Sequence, residues 1–240
     1  MIIAERQSLL NSEISGCETK TQFSEVMHRI AHEFGYAYFA VMTAPGPNDS
    51  LAAPLVHYGS VPLPFLREFD RNHYLRDCPI GGRVKDSVLP QMWRINDPNI
   101  AYRFDCSDAM CELFLRFGMS SGVVLNFNSV DSTRFLIRFY GSRPLLNQSE
   151  LNELSMVSLH AFDVFDRMRR IELSAPNALS ARELEVVRWT AQGKTSIEIG
   201  QILSLSDHTI NAYMTNAIKK LDCVNRTQLV AKAIRLKLIN

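Results

Sequence analysis

The chain has 240 residues, 46% of them hydrophobic and 21% charged, with a formal net charge of +1. That balance excludes disordered, collagenous and low-complexity classes, and the length predicts one large domain or two small ones. No apolar run approaches the roughly 20 residues that span a bilayer, and charge arrives at Glu5 and Arg6, too early for a signal-peptide core, so the expected compartment is the cytoplasm and no membrane partner is expected.

Residues 4–34 read as helical, with Phe23, Val26, Met27, Ile30 and Phe34 on one face. Thr19-x-x-Gln22 offers a capping box to the second half, and Gly35 ends it. Residues 36–44, aromatic and β-branched, predict a strand. A turn follows at Pro45-Gly46-Pro47-Asn48-Asp49, then a second strand at 51–58 and a helix at 65–77. Residues 122–127 and 134–140 predict adjacent strands, joined by a turn at 128–131. A long helix spans 147–171, opened by the box Asn147-x-x-Glu150. The order ααββααββα places helices around a mostly antiparallel sheet. Residues 174–178 break the long helix and read as a linker between domains at 1–173 and 179–240.

The charge divides at the same place. From residue 175 onward there are nine Lys/Arg and five Asp/Glu, giving +4, and the earlier part carries −3. A basic third on a near-neutral chain suits a partner that bears phosphates. Ser180-x-x-Glu183, Thr195-x-x-Glu198 and Asn225-x-x-Gln228 are three capping boxes, and Ser206 caps a fourth helix. Leu184, Val187 and Ala191 follow the first box at helical spacing, and Gly193 suits a left-handed C-cap. The helix 206–221 has an apolar face of Ile210, Met214, Ala217 and Leu221. The pair 195–203 and 206–221 has the length and turn of a helix-turn-helix.

The outer face of that second helix carries His208, Thr209, Asn211, Ala212, Thr215, Asn216 and Lys219, with no carboxylate after Asp207. A helix that enters the major groove needs such a face, because carboxylates repel phosphates and bulky side chains hold the backbone away from base edges. Asn211 suits adenine, and Thr215 suits a thymine methyl or a hydrogen bond. Lys194, Thr195, Ser206, Lys219 and Arg226 suit phosphates, Thr195 and Ser206 through the N–H groups of the helices they open. A small helical bundle with a polar surface is the plainer alternative.

The run Leu179-Ser180-Ala181-Arg182-Glu183-Leu184, through Gln192-Gly193-Lys194-Thr195 to Asn225-Arg226-Thr227-Gln228, resembles the LuxR-type helix-turn-helix domain over residues 177–240. Glu183 and Gly193 match two of the positions the family nearly always keeps, and Val187 stands where the third is usually Leu. Asn211 stands where Lys or Arg is frequent, so no operator sequence carries over. The resemblance implies a double-stranded, near-palindromic DNA site bound by a homodimer. It also implies that Leu229, Ala233 and Leu236 of the last helix pair dimers.

The N-terminal part resembles the autoinducer-binding domain of quorum-sensing members of that family. The resemblance rests on Asp77-Cys78-Pro79, Ser87-Val88-Leu89-Pro90-Gln91-Met92-Trp93 and Phe117-Gly118-Met119-Ser120-Ser121-Gly122. It implies an α+β fold, an α/β/α sandwich with a mostly antiparallel sheet, ahead of an all-α four-helix domain. It also implies a pocket for an acyl-homoserine lactone, an apolar ligand oriented by a few polar groups. Trp93 matches the family. Aligned on Pro79 and Trp93, Cys78 takes the place of the Asp that accepts from the ligand amide, with Asp77 one residue early. Phe65 takes a Trp position and Phe69 a Tyr position. Tyr58 is the second Tyr candidate, and Phe114 and Phe139 stand where smaller residues are common. Phe lacks a hydrogen-bonding group and Cys is a poor acceptor. Three readings stay open: an acyl-homoserine lactone, another small apolar ligand, or none, with the phenylalanines as core. In the last case the domain acts through protein contacts, as in mixed dimers with a related regulator. RNA polymerase is a further expected contact.

His28-x-x-x-His32 has Arg29 where a metalloprotease motif needs Glu, and no third ligand is evident. Five scattered cysteines form no disulfide framework, and Cys106 and Cys111 lack zinc spacing. No catalytic constellation is present, so no enzyme and no metal is expected.

Overall fold

The computed structural model describes residues 3–174, 179–236 and 238–239, so the predicted linker, after Ser174, lies outside the described residues. The chain divides into two compact units, Met1–Ser129 with Thr133–Arg167, and Val130–Ser132 with Met168–Asn240.

The first unit begins with two helices, α1 (Ile3–Ser15) and α2 (Lys20–Glu33). The Thr19–Gln22 capping box forms as expected and starts α2. Strand β1 (Tyr38–Thr43) follows, then β2 (Val56–Gly59). The predicted second strand starts late because Pro54, which has no N–H to give a ladder, lies in a 3-10 turn at Ala53–Leu55. The predicted helix 65–77 is broken. Its chain forms α3 (Leu63–Arg71) and α4 (Tyr74–Asp77), separated at His73, which is left-handed at φ 54°. Pro79 then opens α5 (Pro79–Asp86). Strand β3 (Gln91–Arg94) and helix α6 (Asp108–Arg116) precede the expected hairpin β4 (Ser121–Asn128) and β5 (Arg134–Gly141). The long α7 (Gln148–Ser174) follows, its residues 148–167 in this unit and 168–174 in the second, and the Asn147–Glu150 box forms at its start.

The five strands make one antiparallel sheet in the order β2-β1-β5-β4-β3. Register decides which side chains share a face. Trp93 stands opposite Gly122, Gly122 opposite Tyr140, and Val124 opposite Arg138. Leu136, Arg138 and Tyr140 therefore face the side that α3 to α6 cover. Phe135, Ile137 and Phe139 face the other side, where Phe135 lies 5.2 Å from Phe165 of α7.

The second unit contains α8 (Ala181–Ala191), α9 (Ser196–Leu203), α10 (Asp207–Lys220) and α11 (Arg226–Arg235). Two of the three predicted boxes close fully and the third forms in half. Ser180–Glu183 and Thr195–Glu198 close in both directions, and Gln228 reaches back to the Val224 N–H while Asn225 caps the helix. Gly193 is left-handed at φ 83°, a conformation glycine adopts without strain. The core holds Val186, Val187, Ile199, Ile210, Met214, Ala217 and Leu229. Two expectations are corrected. The inner stripe of α8 runs through Val186, Val187 and Thr190, leaving Ala191 exposed. Leu229 and Ala233 are fully buried, with Leu236 packed against the same core, so they are core residues rather than a free pairing face.

Candidate functional site

Two sites can be built upward from these elements. The first is the outer face of α10. Ile210, Met214 and Ala217 anchor the helix from inside. That leaves His208, Asn211, Ala212, Thr215, Asn216 and Lys219 exposed, as the polar pattern predicts. Ser206 caps the helix. Its hydroxyl accepts from the Thr209 N–H at 3.1 Å and lies 2.8 Å from the Thr209 hydroxyl, so Ser206 and half-buried Thr209 belong to the cap. Ser196, which opens α9, donates its hydroxyl to Asn211 Oδ1 at 2.7 Å. This bond fixes the Asn211 amide and leaves its two N–H donors and a second oxygen lone pair for a base edge. Thr215 donates to the Asn211 carbonyl at 2.9 Å.

The basic residues divide by environment. Lys219 is exposed. Lys194 Nζ lies 3.9 Å from Glu198. Arg226 donates to the Lys194 carbonyl at 2.8 Å, bracing the start of α11 against the turn before α9. Lys220 turns inward and donates to buried Glu183 at 2.7 Å. The same carboxylate oxygen accepts from the Ser180 N–H at 2.7 Å. Burial pushes the Glu183 carboxyl upward, but Lys220 and Ser180 outweigh it and hold the carboxyl below its usual range. The sequence marks Glu183 as a cap; its pairing with Lys220, 37 positions away, is tertiary.

Gly200 sets the approach of α9 to this helix. A Cβ there would stand 2.6 Å from the Leu205 carbonyl, so only glycine lets the turn come this close.

The second site lies on the sheet face covered by α3 to α6. Trp93, Phe65, Phe69 and Phe114 do come together, all nearly fully buried. Phe114 lies 5.0 Å from Phe65, 6.1 Å from Phe69 and 5.6 Å from Trp93. A Cβ on Gly122 would stand 2.7 Å from the Trp93 ring, so this glycine makes room for the indole. Two expected pocket residues lie elsewhere. Phe139 is on the opposite sheet face, 5.8 Å from Tyr36. Tyr58 pairs with Val41 and packs on Phe23 at 5.0 Å, again on the opposite face. Asp77 is exposed at the end of α4, whereas Cys78 is buried, so the thiol and not the carboxylate is the interior group.

Beside the aromatic cluster, the loop after β1, α4, α5 and β5 line a cavity of about 340 Å³. Of the residues expected at a pocket, Cys78 lines it. Burial pushes the Cys78 thiol upward, against the pull of Arg138, so the thiol is not a nucleophile near neutral pH. Arg138 also lines this cavity and was not singled out from sequence; the alternation of Arg134, Leu136, Arg138 and Tyr140 along one strand face was the available signal. Cys106 and Cys111 are disulfide-bonded, with Cα atoms 6.1 Å apart, a local bridge that the spacing did not suggest. Among the described residues no group of three His, Cys, Asp or Glu could hold a metal, and no helix is long and apolar enough to cross a membrane.

A cavity-bearing α/β/α domain followed by a helix-turn-helix defines a DNA-binding transcription regulator with a small-molecule sensor domain. Comparison with known proteins gives the family. Residues 177–233 match the model for bacterial regulatory proteins of the luxR family, and residues 19–165 match the autoinducer binding domain. The chain is 49% identical over 236 residues to the transcriptional activator protein SolR of Ralstonia solanacearum, covering 92% of this chain and 94% of that one. It is 29% identical over 210 residues to BjaR1 of Bradyrhizobium diazoefficiens, covering 86% and 85%. Its fold is that of SdiA of Escherichia coli, with a TM-score of 0.75 at 22% identity over 98% of both chains. The chain belongs to the LuxR family of quorum-sensing transcriptional regulators, a family of regulators and not of enzymes.

Proposed function

We propose that this protein is a cytoplasmic activator that binds DNA as a homodimer, with α10 in the major groove. The observation that carries the reading is the exposed face of α10, free of carboxylates beyond Asp207, on which Ser196 holds Asn211 in place. Asn211 and Thr215 read bases, with His208 and Ala212 beside them. Lys219, Lys194 and the N–H groups at the starts of α9 and α10 rest on phosphates. The likeness to SolR and BjaR1, both named activators, favours activation, with RNA polymerase as the protein contacted from the bound site. Selection of bound sequences from a randomised duplex library tests this directly. The expected product is a near-palindrome whose half-sites lie about one helical turn apart. Enrichment of a single half-site, or of none, overturns it.

The N-terminal domain is read as the sensor, with an altered pocket. Phe65, Phe69 and Cys78 cannot supply the polar contacts that orient an acyl-homoserine lactone in the family. A second reading, a ligand-independent regulator that acts through mixed dimers with a relative, is favoured by the dense packing of Phe65, Phe69, Phe114 and Trp93. Against it stands the open cavity beside that cluster.

A further inference from the structure

Strand β5 holds a charge that the fold does not answer. Arg138 lies between Val124 of β4 and Ala40 of β1, in the middle of the sheet. It is 7% exposed, and its Nε has no hydrogen-bond partner. Other partly buried arginines hold carboxylates: Arg6 pairs with Glu153, Arg143 with Glu150 and Arg169 with Asp131. Arg138 is more deeply buried than these, and no carboxylate pairs with it among the described residues. A guanidinium cannot shed its proton near neutral pH. An uncompensated buried charge is costly and persists where something else repays it.

The polar groups that act on Arg138 do not neutralise it. They are the Tyr140 hydroxyl, which hydrogen-bonds to it, and the Cys78 thiol. Burial pushes both upward, against the pull of Arg138, so both stay protonated and neutral at pH 7. Arg138 instead faces the cavity of about 340 Å³, a volume within the range of small-molecule sites. Arg76, Lys85 and Arg134 also line that cavity, against one carboxylate, Asp49, whose Oδ2 accepts from the Gly46 N–H at 2.7 Å. Leu75, Val84 and Pro45 supply the apolar wall.

We propose that this cavity takes an anionic small molecule, a carboxylic acid whose carboxylate pairs with the Arg138 guanidinium while its apolar body lies along Leu75, Val84 and Pro45. This deepens the sensor reading above and rests on it. A carboxylate matches the guanidinium fork with two parallel hydrogen bonds and supplies the missing counter-charge. A neutral lactone or amide supplies hydrogen bonds but leaves the buried charge standing. The site thus discriminates by charge before shape, and Cys78 matters because a carboxylate at that position would fill the role internally.

The test is a set of thermal melts of the full chain with octanoate, 4-phenylbutyrate and 4-hydroxycinnamate, each beside its neutral amide, and with N-octanoyl-homoserine lactone. At least one acid is expected to raise the midpoint by several degrees, and its amide is not. Two variants complete it. Arg138→Met removes the unpaired charge at similar volume, so the unliganded protein should melt no lower than wild type, and affinity for the acid should fall roughly 10- to 100-fold. Cys78→Asp places a carboxylate beside Arg138 and should abolish the acid's effect. The proposal is overturned if acid and amide act alike, if no acid shifts the wild type, or if Arg138→Met keeps the response. A lactone that shifts wild type and Arg138→Met equally, with no acid acting, overturns the anionic site yet leaves the sensor reading standing. DNA affinity, measured on the same preparations, reports on the regulator reading separately.

Discussion

Replacing Glu183 by Gln removes one charge from the helix-turn-helix unit and almost nothing of its shape. In the native protein one oxygen of Glu183 accepts from the Ser180 N–H and from Lys220 Nζ, each at 2.7 Å. A Gln carbonyl can keep the first bond, so the variant isolates the ion pair. A hydrogen bond to a charged partner contributes about 1.5–3 kcal/mol. Lys220 is 39% exposed and regains water when released, which discounts the loss to about 1–2 kcal/mol. Glu183→Ala removes the cap as well and should cost about 2–4 kcal/mol. Urea unfolding followed by pulse-labelling hydrogen exchange on peptides from residues 181–236 reads this unit by itself. The pH dependence sharpens the test. The folded carboxyl lies below its ordinary value of 4.5. Its contribution is therefore complete above that value and is lost as pH falls through the lower folded one. The gap between wild type and Gln should be full at pH 7 and shrink steadily as pH falls below 4.5 toward the lower folded value. Equal stability at pH 7, or a gap that does not narrow as the pH is lowered below 4.5, would refute the reasoning.

Glycine positions give two further expectations. Gly122→Ala places a Cβ 2.6 Å from the Phe139 carbonyl and 2.7 Å from Trp93. Overpacking of this kind should cost about 2–3 kcal/mol, read as a lower urea midpoint with quenched or shifted Trp93 emission; an unchanged midpoint would show that the indole can move aside. Gly200→Ala meets the Leu205 backbone at 2.6 Å and should loosen the turn between α9 and α10. Its affinity for a selected DNA site should fall by more than its stability loss explains, whereas wild-type affinity would mean that the turn does not position α10.

Local signals carried the C-terminal unit. Each box there is a side chain bonding to backbone three or four residues away, so Ser180, Thr195, Ser206 and Asn225 locate the helix starts without tertiary information. The outward face of α10 was legible for the same reason, because 3.6-residue spacing assigns its sides once one side is apolar. The sensor domain was less open to reading, for more than one reason. Tyr58 and Phe139 lie on strands whose facing is set by register with β1, a relation between segments distant in sequence. Strand β3 has only four residues and carries too little pattern to be seen. The helix 65–77 was overextended because its apolar residues continue past His73, where the backbone turns left-handed. Arg138 shows the limit well. Strand alternation places it beside Leu136 and Tyr140, but only the packed structure reveals that no acid comes to meet it.

The central claim is that α10 reads DNA, with Asn211 on a base and Lys219 on a phosphate. The most direct measurement is the affinity of wild type, Asn211→Ala and Lys219→Ala for a selected site and its single-base variants, by fluorescence anisotropy at several salt concentrations. Asn211→Ala should lose about 1–3 kcal/mol at one base position and relax discrimination there, with an unchanged salt slope. Lys219→Ala should weaken every sequence alike and flatten the slope by about one. Two variants that behave identically, or an Asn211→Ala protein with intact base preference, would contradict the account.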